Sequence, residues 1–142
     1  MIKVNRKLML LAMSLLLFVA CDKDEITDTT APEAIVTAPQ AQTYYRGNTL
    51  MLSATFTDDT DLKECTVYLT QQQTKNTRGW DDPYNPDAVT FPLSGKEDVI
   101  NNQHLFETSI PFDIMSGDYY VVVVTSDQSL NYSTLQIPIY IK

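Results

Sequence analysis

The sequence is short of the residues from which small active sites and disulfide scaffolds are made. Among 142 residues it has two cysteines, one histidine, one tryptophan and four glycines. Two cysteines allow one disulfide at most, so a cross-linked miniprotein is excluded and stability has to come from a packed core. There is no glycine-rich phosphate loop, no Gly-x-Ser-x-Gly elbow, no paired-cysteine metal motif and no His-Glu-x-x-His. Acid–base catalysis draws most often on histidine. His104, followed by Leu105 and Phe106, reads as a structural residue, so no catalytic residue is assigned and the expectation is a protein that is not an enzyme. Positive charge is scarce too, with 10 Lys and Arg against 18 Asp and Glu and a net charge of −8. That is the opposite of the basic footprint a nucleic-acid partner requires.

The one long apolar run stands at the start. Lys3, Arg6 and Lys7 carry the only charges of the first seven residues, and residues 8–20 are then apolar except for Ser14. A basic segment, a short apolar segment and a small residue, Ala20, are the parts of a secretory signal. The run falls short of the roughly 18 apolar residues a bilayer span needs. Loss of residues 1–20 would remove three basic residues and no acids, leaving seven against eighteen, or −11. Residues 22–33 are polar, Thr-rich and acidic, the composition of a flexible tether. The expected division is therefore 1–20 signal peptide, 21–33 modified cysteine and tether, and 34–142 folded domain.

Within the domain, short strand signals follow one another with no helical period. Residues 34–37 read as a first edge strand ended by Pro39. Leu50, Leu52, Ala54 and Phe56 alternate with Met51, Ser53, Thr55 and Thr57 up to the Asp58-Asp59-Thr60-Asp61 turn. Cys65, Val67 and Leu69 alternate with Thr66, Tyr68 and Thr70, which makes Cys65 a small core residue. Residues 71–86 read as a long loop around Trp80. Weak strand signals at 89–93 and 99–100 precede an alternation of His104, Phe106, Thr108 and Ile110. Residues 119–126 (YYVVVVTS) are apolar on both faces, as in a central strand. After a turn at 127–131, Ser133, Leu135, Ile137, Ile139 and Ile141 point inward, and Pro138 marks an edge strand. About seven strands at hairpin spacing predict an all-β antiparallel sandwich.

Four resemblances add to this. Phe18-Val19-Ala20-Cys21 resembles a lipobox, which implies that Cys21 is lipidated and anchors the chain in a membrane; two or three acyl chains at about 0.8 kcal/mol per buried CH₂ make a stable anchor. Asp22-Lys23-Asp24-Glu25 resembles the export signal of Bacteroidetes surface lipoproteins, which implies an outer-membrane protein facing outward. Gly117-Asp118-Tyr119 and the 127–131 turn resemble the end of an Ig-like sandwich (fibronectin III or cadherin-like), with Tyr119 as a corner tyrosine whose hydroxyl bonds back to the preceding connection. From Pro32 through Leu50-Met51-Leu52, Asp58-Asp59, Leu62-Lys63 and Ile110-Pro111, the layout is similar to a Bacteroidetes lipoprotein family of unknown function. Members of that family often carry several histidines, whereas this chain has only His104, so the resemblance brings no metal site.

Three readings of the domain stay open. The plainest is a binding, adhesion or spacer module that needs no cofactor beyond the lipid on Cys21. In a second, Asp58, Asp59, Asp61 and Asp127 gather around calcium, which takes six to eight oxygens. In a third, Trp80 and Tyr84, with Tyr44 and Tyr45, stack a glycan or anchor a surface protein.

Overall fold

The structure, a computed structural model, describes residues 28–72 and 82–142. The expected signal peptide, Cys21, the first part of the tether and Trp80 lie outside the described residues. Eight strands follow one another: β1 (Glu33–Ala38), β2 (Thr43–Tyr44), β3 (Met51–Thr57), β4 (Leu62–Gln71), β5 (Val89–Pro92), β6 (Glu97–His104), β7 (Gly117–Asp127) and β8 (Tyr132–Ile141). They form a three-stranded sheet, β1-β3-β6, and a five-stranded sheet, β2-β8-β7-β4-β5. Every pairing is antiparallel except β2 with β8, which is parallel. The all-β sandwich expected from the sequence is therefore present. The added strand is β2, whose two residues are too few to show a period.

The alternating residues make the core. Leu52, Ala54 and Phe56 of β3 face Cys65, Val67 and Leu69 of β4 and Tyr119, Val121 and Val123 of β7 across the space between the sheets. Ile137, Ile139 and Ile141 of β8 complete that layer. Ser133 and Leu135, expected to point inward, are not part of the core: Ser133 is half-buried, and Leu135 is exposed beside Ala34 and Ile35 of β1. β7 is the central strand its composition predicts. Even Val122, on the outer face, is 1 % exposed.

Strands and core diverge from the sequence pattern at one place. The alternation at 104–110 predicts a strand there, but β6 ends at His104 and the chain leaves strand geometry. Leu105 and Phe106 are adjacent yet both belong to the core cluster, whereas neighbours in a regular strand point to opposite faces. The core has an open end there, and closing it takes both side chains. The weak signal at 99–100 belongs to the eight-residue β6. Asn101 and Asn102 bulge opposite Ser53, and Asn102 takes a positive φ of 49°.

Turns and connections separate into two poles. Residues 28–32 and the β3–β4, β5–β6 and β7–β8 turns share one pole, the proximal one. The connections 39–50 and 105–116, the flanks of 73–81 and Lys142 share the other, the distal one. Burial pushes the Cys65 thiol up to about 12 and also raises the hydroxyls of Tyr84 and Tyr119. All three lose a proton more readily when unfolded, so stability holds below the ordinary thiol value and falls as pH rises toward 12. A urea series from pH 7 to 11 should show the midpoint falling above about pH 9. With iodoacetamide at pH 8, Cys65 should stay unmodified in the native state and react in urea.

Candidate functional site

At the proximal pole the β3–β4 turn is held by its own acids. Asp58 Oδ2 accepts bonds from the Thr60 backbone N–H (3.0 Å) and hydroxyl (2.9 Å). Asp61 Oδ1 accepts the Gly95 N–H at 2.7 Å, tying this turn to the β5–β6 turn. Asp127, fully buried, accepts the Asn131 backbone N–H at 2.8 Å and its side-chain N–H at 2.7 Å, and so shapes the β7–β8 turn. Asp61 and Asp127 are thus occupied with turn geometry.

A residue not singled out from the sequence completes the acidic group. Asp28, assigned to the tether, lies against the β3–β4 turn, and carboxylate oxygens of Asp28, Asp58 and Asp59 lie within 4.8 Å of one another. The Thr60 hydroxyl donates to Asp28 Oδ2 at 2.5 Å, and the Thr30 hydroxyl donates to Asp59 Oδ2 at 3.0 Å. Asn131 also donates to the Asp28 carbonyl at 3.1 Å. The Thr60 bond, followed by that from the Thr30 N–H, holds the Asp28 carboxyl below its ordinary value. Asp58 Oδ1 is buried without a hydrogen-bond partner. The one nearby cation described in a bond is Lys96, whose ammonium donates to the Asp59 backbone carbonyl at 2.6 Å. From Asp28 onward, then, the expected tether is part of the folded pole. Only partners 29, 32 and 103 residues away in sequence reveal this, so no local signal could have found it.

The aromatic candidates separate. Tyr84, expected to present itself to a ligand, is 6 % exposed. Its ring meets Phe106 edge-on at 6.1 Å and 85°, and its hydroxyl reaches the Thr108 carbonyl at 3.5 Å. Tyr84 is buried because the core end left open by β6 takes a large apolar filler. Tyr44 is half-buried against the core, whereas Tyr45 is exposed. Phe112, overlooked in the sequence, is 80 % exposed over Gly47. Gly47 has a φ of +84°, and a Cβ there would stand 2.8 Å from Phe112 Cζ, so both conformation and space call for glycine.

Tyr119 makes the bond expected of it. Its hydroxyl donates to the Met115 carbonyl at 2.8 Å and accepts the Tyr84 N–H at 3.2 Å. One buried oxygen thus joins the connection before β7 to the segment before β5. Arg46 adds a second tie, its guanidinium donating to the Ile114 carbonyl and the Ser116 hydroxyl.

A model of the family described as "Domain of unknown function (DUF4625)" matches residues 19–142. The chain belongs to that family. No curated protein matches it. The matched segment includes Cys21 and all eight strands, so the cysteine and the sandwich fall in one family unit. The family supplies no reaction, and the site rests on geometry alone.

Replacing Tyr119 with Phe removes the hydroxyl and leaves the Tyr84 N–H and Met115 carbonyl without their buried partner. The expected loss is about 1–3 kcal/mol, read from urea unfolding, with the slope of the transition unchanged.

Proposed function

We propose that this chain is a non-catalytic surface lipoprotein, anchored through Cys21, whose Ig-like sandwich serves as a binding, adhesion or spacer module. The observation that carries the reading is the docking of Asp28 and Thr30 on the proximal pole. Cys21 lies seven residues before Asp28, a reach of at most about 25 Å. Anchoring there keeps the proximal pole near the membrane and turns the distal pole outward. The corner bond of Tyr119 and the parallel β2–β8 pairing support the Ig-like assignment. The acids after Cys21 support export to the outer face of the outer membrane.

The anchor is tested in cells. A clickable fatty acid should label the native chain and not the Cys21→Ala variant, and protease added to intact cells should remove the domain. A domain that survives on intact cells but is digested after lysis would rule out surface exposure.

A second reading, calcium at the proximal pole, is favoured by the lone buried oxygen of Asp58 beside the carboxylates of Asp28 and Asp59. Calcium accepts carboxylate and carbonyl oxygens in flexible geometry. Bridging Asp28 to the β3–β4 turn would stiffen the join between tether and sandwich. Millimolar calcium should then raise Tm by about 5 °C or more over chelator, and Asp58→Asn should abolish the rise. Identical melts with calcium and chelator would dismiss this reading.

A further inference from the structure

The outer face of the five-stranded sheet stands apart from the rest of this acidic chain. Register places three rows of side chains there: Thr90, Thr66, Val124 and Thr134; then Tyr68, Val122 and Gln136; then Thr70, Tyr120 and Pro138. None of the ten carries a charge. Charge returns only at the ends, with Glu64 and Asp118. Tyr132 and Tyr140 sit on the same face beyond the rows, so four of the eight tyrosines are gathered on it.

The face is also stiff. Val122 is 1 % exposed although it points outward, so its neighbours, Tyr68 and Gln136 across the strands and Tyr120 beside it, must lie over it. The Thr66 and Thr90 hydroxyls bond to each other at 2.9 Å. At its distal end the face runs into an open depression of about 340 Å³, lined by Gln42, Gln72, Asp118 and Tyr140 among others. Backbone bonds hold this depression, with the Tyr140 N–H donating to the Gln42 carbonyl at 3.1 Å and the Gln72 N–H to the Asp118 carbonyl at 2.9 Å.

We propose that this face and its depression bind a neutral glycan chain, with Tyr140 stacking one sugar ring, Asp118 and Gln72 bonding its hydroxyls, and Tyr68 and Tyr120 carrying the chain onward. The proposal rests on the binding-module reading and names its ligand class. A sugar offers C–H groups to an aromatic face and hydroxyls that both donate and accept, which matches tyrosine, glutamine and a carboxylate acceptor. Charge selects the neutral class. An acidic chain repels polyanions, and the platform offers a cation no counter-charge except Asp118. Size argues against a protein partner or a second copy. Four strands about 4.8 Å apart over the nine residues from Tyr132 to Tyr140, at about 3.3 Å each, make a platform of roughly 380 Å² at most, against about 800 Å² per partner in a stable protein interface.

The test uses the full mature chain in detergent, run by native electrophoresis through gels containing neutral polysaccharides (xylan, mixed-linkage glucan, mannan) or acidic polygalacturonate. At least one neutral polymer should retard the native chain. Tyr140→Ala and Asp118→Asn should each weaken that retardation about ten-fold, with melts showing the fold intact, while Phe112→Ala at the distal pole should behave as native. The proposal is overturned if no neutral polymer in the panel retards the chain, if only polygalacturonate does, or if Tyr140→Ala binds as native. Equal weakening by Phe112→Ala would move the site to the pole and overturn it too, as would a dimer in sedimentation that Tyr140→Asp dissociates. Fatty-acid labelling of Cys21 is independent of these outcomes, so a failed glycan screen with a labelled anchor sinks this inference and leaves the surface module standing.

Discussion

The hydroxyl of Tyr119 joins two connections at the distal end of the sandwich, beside the ties made by Arg46 and by the backbone of residues 47–50. Strand pairing closes the sheets laterally but leaves residues 83–88 and the connection 105–116 outside the strands. Among the described residues the one isolated bridge there is Asp82 with Ile114. By donating to Met115 and accepting from Tyr84, Tyr119 fastens both connections to the base of β7. Tyr84 can then lay its ring on Phe106 and cap the core. The free thiol of Cys65 offers no alternative staple. In a chain without an intrachain disulfide among its described residues, such side-chain-to-backbone bonds do the work of cross-links.

The strands were legible where burial on one face imposes a period of two. β3, β4, β7 and β8 each alternate or run apolar over seven or more residues, and each lies where that pattern puts it. Pro138 predicts an edge strand, but β8 is second in its sheet: β2 pairs outside it at Tyr140 and Ile141, and only the part of β8 before them is an edge. The Tyr140 and Lys142 N–H groups point away from β7 toward β2, and Pro138, two residues before Tyr140, shares that direction. Its missing N–H therefore falls on the open edge and takes nothing from the β7 ladder. The 105–116 connection was illegible because its burial answers to a three-dimensional gap and follows no period. His104, Phe106, Thr108 and Ile110 alternate by coincidence, and Tyr84 looked like a loop aromatic because nothing nearby in sequence announces its partners.

The candidate sites show the same division. The acids at 58–61 were visible as a turn, and the turn is there, but its third carboxylate comes from Asp28. That residue was assigned to the tether by composition, and composition cannot see the Thr60 hydroxyl waiting for it. Asp61 and Asp127 were grouped with Asp58 because they end strands at one pole. They do end there, yet the Asp61 carboxylate is already taken by the Gly95 N–H of the β5–β6 turn and that of Asp127 by Asn131 in its own turn.

Charge placement links these features to function. Acids gathered in the proximal turns repel one another, a cost reduced by hydrogen bonds from Thr30, Thr60, Gly95 and Asn131 and open to further reduction by a cation. The same chain keeps the centre of its larger sheet free of charge. A flat, tyrosine-rich, uncharged sheet is a hazard for edge-to-edge and face-to-face association. Pro138 and the short β2 and β5 blunt the edges, but nothing comparable guards the face. Three of its four tyrosines, Tyr68, Tyr132 and Tyr140, are among the large exposed apolar side chains of the described residues. Proline and short strands thus protect the edges of the larger sheet, while its outer face keeps these tyrosines exposed.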